Sequence, residues 1–287
     1  MDRSDAEELD RADELAPFRE RFVIDDPDLV YANGNSLGRL PRETVERVAD
    51  VLTHHWGSRL ARSWDDGWLD EAQRVGDVLA AGVLGARPGE VLVCDSTTVN
   101  LYKLAVAALD ARPDRRSVVV ASHEFPTDRY VLQGLAQQRG LALQWDGEPD
   151  RDTALCVRSL VDYRTGARAD LAARTAADRA AGALTVWDLS HAAGVVPVEL
   201  DAAGVDLAVG CTYKYLCAGP GAPAFLYVRT ELQQQLQSPI WGWFGQRHQF
   251  AMGPAYDPQP DIRRFHAGTS PIVGIAAVDV SAALVAE

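Results

Sequence analysis

Basic residues are in short supply: 28 Lys and Arg face 41 Asp and Glu among 287 residues, for a net charge of −13. That deficit argues against nucleic acid or an anionic membrane surface as a partner, because both recruit through clustered positive charge. Long apolar runs are missing too, and none approaches the ~20 residues a membrane-spanning helix requires. The amino-terminal stretch MDRSDAEELDRADELAPF is acidic and helix-like, without the basic and apolar regions of a secretory signal. Cysteine is scarce and scattered: Cys94, Cys156, Cys211 and Cys217 form no C-x-x-C or zinc-ligand spacing. The expectation is a reduced, cytoplasmic protein with no metal site. Internal repeats are absent, and the only biased stretch, QQQLQ at 233–237, reads as a solvated helix face.

What remains is an apolar fraction of 47%, ample for a folded core. Three β-rich segments, EVLVCDS (90–96), RSVVVASHEF (116–125) and TALCVRSLVD (153–162), each pass through a turn into a helical pattern. ALTVWDLS (183–190), VDLAVGCTY (205–213) and PAFLYVR (223–229) follow. Strands alternating with helices indicate an α/β fold with a mostly parallel sheet, and continuous apolar strands indicate helices on both faces. Residues 1–60 read as a helical segment around the turn NGNSLGRLP, residues 61–270 as the large domain, and PIVGIAAVDVSAALVAE (271–287) as the start of a connecting helix.

Ligands of open α/β sheets bind beyond the carboxyl ends of the strands. The residues there are Asp95, Ser96, Thr97, Thr98, Phe125, Asp188, His191 and Lys214. Each has an ordinary explanation when taken singly: a threonine caps a helix, a phenylalanine fills a core, an aspartate satisfies loop amides. Together they suggest one cofactor. A lysine between Tyr213 and Tyr215 in a partly dry site can form a Schiff base. An aspartate across from it suits the protonated ring nitrogen of pyridoxal phosphate. The DSTT turn entering a helix offers amides, hydroxyls and a dipole to a phosphate, and Phe125 can stack on the ring.

Seven ordered stretches carry a resemblance: NGNSLGRLP, CDSTTVNLYK, HEFPTDRYV, WDLSHAAGVVPVEL, GCTYKYLCAGPGAPAFLYV, GWFGQRHQFAM and HAGTSPI. They resemble the fold type I, pyridoxal-phosphate-dependent enzymes of the class V aminotransferase group, and within it the kynureninase family. The resemblance implies a seven-stranded sheet sandwiched by helices, and hydrolysis of the Cβ–Cγ bond of L-kynurenine or its 3-hydroxy form to an anthranilate and L-alanine, a step of tryptophan catabolism. It implies Lys214 as the Schiff-base lysine, Asp188 as the ring-nitrogen partner, Phe125 as the stacking residue, and Thr97, Thr98 and Tyr213 as phosphate ligands, Tyr213 also assisting proton transfer. Asp128 and His191 match positions near the ring, and Asn35 and Ser36 a substrate-lining loop. Trp243 and Thr269 match phosphate contacts that reach in from the neighbouring subunit of a homodimer.

Three departures accompany the resemblance. Members of the family continue into a small C-terminal domain that carries the arginine for the substrate's α-carboxylate; no residue here matches it, so a separate subunit could supply that domain, and Arg263 and Arg264 read as partners of surface acids. Cys217 stands where the family usually has asparagine. Trp241 has no counterpart in the family's block and reads as a packing residue. His54, His55 and His248 read as surface residues. Two alternatives stay open: a non-catalytic or partner-dependent cofactor-binding homologue, and a cysteine desulfurase or selenocysteine lyase. The latter needs a nucleophilic cysteine on a late loop, and no cysteine follows Cys217.

Overall fold

A computed structural model describes residues 2–287. Seven strands form one sheet: β1 (Val91–Val93), β2 (Ser117–Val120), β3 (Ala142–Trp145), β4 (Thr153–Ser159), β5 (Leu184–Asp188), β6 (Leu207–Gly210) and β7 (Phe225–Val228), in the order β1-β7-β6-β5-β4-β2-β3. Every pairing is parallel except the two made by β7, which runs antiparallel to both β1 and β6. The sheet is therefore mostly parallel and seven-stranded, as expected. The central strands are buried along their whole length, which is why they read as unbroken Val, Leu and Ala runs rather than alternating patterns.

Among the described residues, eight α-helices accompany the sheet: α1 (Arg3–Ala12), α2 (Arg42–Asp50), α3 (Glu71–Leu79), α4 (Thr97–Asp110), α5 (Pro126–Arg139), α6 (Leu171–Ala180), the single turn α7 (Thr230–Gln233) and α8 (Ile272–Ala286). Their ends follow local chemistry. Ser96 caps α4 by accepting from the Val99 amide, and Asp170 caps α6 by accepting from the Ala173 amide. Pro126 opens α5 at its first position, and Gly140 closes it in a left-handed conformation at φ +66°. α8 packs against α2 and α3, and Arg74 and Arg21 hold it through Asp279 and Glu287 at 2.6 and 2.8 Å.

Two readings of the sequence need correction. The stretch 233–237 is not a uniformly solvated face: Gln233 is buried and donates to the carbonyls of Gly89 (2.8 Å) and Val228 (3.0 Å), and Leu236 is buried beside it. β3 was not visible as a separate strand, because none of its four residues is buried and an edge strand of that length carries no apolar run.

Register decides where the chemistry sits. Ser159 lies opposite Asp188, and Asp188 opposite Val209, so β4, β5 and β6 end at one edge of the sheet. Because β7 returns antiparallel beside β6, the connection 211–224 stays at that edge and brings Lys214 with it.

Candidate active site

Ser96, Thr97 and Thr98 from the start of α4, Phe125, Thr127 and Asp128 from the start of α5, Asp188, Ser190 and His191 after β5, and Tyr213 and Lys214 after β6 line one cavity of about 150 Å³. Roomier clefts lie elsewhere, one of about 510 Å³ bordered by Gln73, Phe244 and Phe250. The smaller cavity is the candidate site because the reactive and titratable groups converge there.

The Lys214 side chain is nearly buried, and its Nζ sits 2.8 Å from His191 Nε2. It also lies 5.4 Å from the centre of the Phe125 ring and 5.8 Å from that of Tyr213. Burial, and then the Lys214 charge, hold the His191 imidazole below its ordinary pKa. A neutral ring accepting at Nε2 carries its proton on Nδ1. Burial also raises the Tyr213 phenol, which keeps it protonated.

Three carboxyl groups accompany this single ammonium. Asp188 is buried at the end of β5, its Oδ1 accepting from the Ser190 amide at 2.8 Å. Glu124 is buried and accepts from the Ser159 amide at 2.9 Å and from the Ser159 hydroxyl. Asp128 is 1% exposed, and neither of its carboxyl oxygens has a hydrogen-bond partner among the described residues. Burial, followed by the charges of Asp188 and Glu124, pushes the Asp128 carboxyl well above the usual range; the same desolvation raises Glu124. Orphaned acceptors buried beside another acid form a place that lacks a donor, which a protonated heteroaromatic nitrogen would supply.

Ser96, Thr97 and Thr98, at the start of α4, line the cavity directly after Asp95, whose φ is +49°. A helix N-terminus with two adjacent threonine hydroxyls suits a phosphate. The residues present therefore fit pyridoxal phosphate at three points: an anion cradle, an aromatic wall and a buried acid.

The structure thus gathers Thr97, Thr98, Phe125, Asp128, Asp188, His191, Tyr213 and Lys214 as the sequence suggested. Asn35 and Ser36 fall outside the cavity, and so do Trp243 and Thr269, which the resemblance gave to a neighbouring subunit's site. Asn35 and Ser36 are exposed in a turn closed by Ser36 N to Asn33 O at 2.9 Å. That loop nonetheless docks on the lysine segment: the Gly38 amide donates to the Tyr213 carbonyl at 2.9 Å, and a Cβ at Gly38 would overlap the Lys214 carbonyl oxygen. Trp243 is 45% exposed with its indole N–H on the Gln249 carbonyl, and Thr269 is exposed. Neither lines the cavity of its own chain.

Arg263 is held by Asp261 at 2.7 Å, as expected of a residue paired with acids, whereas Arg264 is buried and donates to the Gln233 carbonyl. His54 and His55 both turn to Asp50, at 2.7 and 3.4 Å. His248 is exposed, and Trp241 stacks on Tyr256 at 5.1 Å. Sequence reasoning missed Glu124, Thr127, Tyr163 and Ser190. Tyr163 packs edge-on against Phe125 with ring centres 5.2 Å apart and also faces His191 at 6.2 Å. It directly follows the 153–162 segment, so the strand-end rule that found the others would have found it.

The class V aminotransferase model matches residues 40–287. Kynureninase of Pseudomonas fluorescens is 43% identical over 96% of this chain and 70% of its own length. Kynureninase of Burkholderia pseudomallei strain K96243 is 45% identical over the same shares. Among solved structures, a complex of the cystine C-S lyase C-DES with cysteine persulfide superposes with a TM-score of 0.75 at 17% identity, covering 90% of this chain and 71% of that one. A cysteine desulfurase from Thermococcus onnurineus NA1 superposes with a TM-score of 0.74 at 20% identity, covering 90% and 67%. At such identities the likeness to these two concerns the fold alone.

Proposed function

The chain belongs to the class V aminotransferase family, and from that footing we propose that it is a pyridoxal-phosphate-dependent hydrolase of the kynureninase type. Its reaction is cleavage of the Cβ–Cγ bond of L-kynurenine or 3-hydroxy-L-kynurenine to an anthranilate and L-alanine. The observation that carries this reading is the convergence of Lys214, Asp188, Asp128, Phe125 and the α4 N-terminus on one buried cavity, in a chain 43–45% identical to kynureninases.

In this reading, residues 61–270 carry the cofactor site. Thr97, Thr98 and Tyr213 hold the phosphate, Phe125 covers one ring face, and Asp188 with Asp128 meets the ring nitrogen. Lys214 Nζ is the amine that attaches the cofactor. Bound there, pyridoxal phosphate supplies an electron sink for the pair left when the substrate's Cα proton is removed.

The chain's own groups do the rest. Lys214, released by the incoming substrate amine, is the base for the Cα proton. His191 Nε2, held neutral by burial, orients Lys214 Nζ from 2.8 Å. Tyr213, kept protonated, faces the same cavity and is the acid that hands a proton back. Phe125 and Tyr213 wall the lysine with aromatic carbon, and Tyr163 packs behind Phe125, which keeps bulk water from the amine. Trp243 and Thr269, exposed and outside their own cavity, fit phosphate contacts offered to a second copy of the chain in a homodimer.

The desulfurase alternative loses support on the cysteines. Cys94, Cys156 and Cys211 are buried, and burial also raises the half-buried Cys217 thiol, so none has the depressed pKa of a nucleophile. The test is an absorbance spectrum of the chain with pyridoxal phosphate, followed by addition of L-kynurenine under anthranilate fluorescence, with Lys214→Ala alongside. A visible band lost in the variant, together with anthranilate release, supports the hydrolase. A band without turnover leaves a cofactor-binding protein that is non-catalytic or needs a partner, and no band removes the cofactor reading.

A further inference from the structure

Lys103 is fully buried on α4, one turn and a half beyond the threonines of the anion cradle. Its Nζ has three neighbours: Asp95 Oδ2 at 2.6 Å, the Phe265 carbonyl at 2.7 Å and Cys94 Sγ at 3.5 Å. An ammonium has three N–H donors, so this one is saturated. Burying such a group brings a heavy desolvation penalty, and an apolar side chain of similar volume is often as stable or more so. Packing alone therefore gives no reason for a lysine.

The two strong acceptors belong to separate parts of the chain. Asp95 sits in the left-handed region, which L-residues other than glycine adopt at some expense, and Ser96, Thr97 and Thr98 follow it directly. Asn100, one helical turn before Lys103 and equally buried, fixes the adjoining Cys94 carbonyl at 2.8 Å. The cradle's turn is thus pinned from α4 by two neighbouring side chains on one helix face. Phe265 belongs to the segment that continues through His266, whose Nε2 is 3.1 Å from Ser270 Oγ, to Thr269. That segment is also locked to Trp243's turn, because a Cβ at Gly242 would overlap the Ala267 carbonyl.

We propose that Lys103 is a positioning residue: its ammonium sets the Asp95 turn, and so the phosphate cradle, in fixed relation to the segment bearing Thr269 and Trp243. The proposal rests on the cofactor reading above. It states that affinity for the cofactor's phosphate, as distinct from its ring, depends on a side chain that never touches the cofactor.

Two variants test it: Lys103→Met, and the double variant Lys103→Met/Asp95→Asn, which strands no charge. For each, apo protein is titrated with pyridoxal phosphate and with pyridoxal, which lacks the phosphate, and melting is followed in parallel. The expected result is a loss of at least about tenfold in the preference for pyridoxal phosphate over pyridoxal. Pyridoxal binding itself should persist, and the double variant should melt within roughly 5 °C of the parent. Retention of the parent's phosphate preference overturns the proposal, as does equal loss of both ligands. Failure of both variants to fold overturns it too, since Lys103 would then be structural only. If the parent chain binds neither ligand, the cofactor reading falls and takes the proposal with it; normal parent binding with an unaffected variant sinks the proposal alone.

Discussion

Lys214 Nζ and His191 Nε2 meet at 2.8 Å, although 23 residues separate them in sequence and each comes from a different strand end. The contact exists because β5 and β6 are adjacent and parallel, so the loops that follow them leave the sheet at the same edge. It gives the lysine an acceptor when no cofactor is attached.

The first prediction concerns that pair. Lys214→Ala should abolish the cofactor's visible band and lower kcat by about 10²–10⁴-fold, the usual worth of a positioned base or more. His191→Phe should keep the band while lowering kcat, because the base remains and its orientation is lost. Steady-state fluorescence assays with both variants check this; a His191→Phe enzyme at parental kcat would remove the orienting role.

Asp128 should show a trade between stability and function. Its folded-state pKa is raised, so its protonated form is the one folding favours. That contribution is present in full below the ordinary carboxylate pKa and is lost as pH rises through the raised value. Asp128→Asn should therefore melt higher than the parent apo protein at pH 8, with the gap closing toward pH ~4. Cofactor affinity should move the opposite way, since a buried acid proposed to meet the ring nitrogen is gone. Melting curves across pH, with cofactor titrations, separate the two effects.

How far the sequence revealed this site depends on the kind of residue. Groups at the ends of long apolar strands were legible, because buried parallel strands announce themselves and their ends follow: Asp188, His191 and Lys214 were found in that way. Glu124 was not, because a lone acid beside a histidine in HEF gives no sign that its partner is Ser159, 35 residues on. β3 escaped because an exposed edge strand lacks an apolar signature. The position of Trp243 and Thr269 outside their own chain's cavity is what the resemblance implied and could not have been read from spacing alone, since which side of a subunit a loop faces is a property of packing.

His266 predicts a slope in stability. Burial lowers its imidazole to about 4, with the Lys103 charge adding to the effect. The folded state thus holds it neutral where the unfolded chain, titrating near the ordinary ~6.5, binds a proton. Stability from this group is present above pH ~6.5 and is lost as pH falls toward 4, by up to about 3 kcal/mol. Urea unfolding of the parent and of His266→Gln between those pH values should show a shallower slope in the variant.

Cys217 occupies a left-handed backbone conformation at φ +58°, with its thiol against the Tyr215 carbonyl at 3.4 Å. Asparagine tolerates that region better than cysteine does. Cys217→Asn should accordingly stabilise the chain by about 1 kcal/mol and leave kcat unchanged. An unfolding midpoint that falls instead would mean that burial of the thiol outweighs the backbone strain.

The last prediction separates contacts within a subunit from contacts between subunits. Trp243 and Thr269 stand outside the cavity that holds Lys214 in their own chain, so their contribution, if they make one to the phosphate, has to come from another copy. Lys214→Ala and Trp243→Ala chains, each inactive or weak alone, should then complement each other. In a mixed dimer, one cavity combines Lys214 from the Trp243→Ala chain with Trp243 from the Lys214→Ala chain, and is whole. Equal mixing by denaturation and refolding yields about half mixed dimers, each with one whole site of two, so activity should recover to about a quarter of the parent's. The same mixture of Lys214→Ala with Asp188→Ala chains should gain nothing, because both residues line one cavity and neither partner can supply a whole site. Recovery in neither mixture would place Trp243 within its own subunit's site or outside the reaction, and recovery in both would mean that the cavity of Lys214 and Asp188 is itself shared between copies.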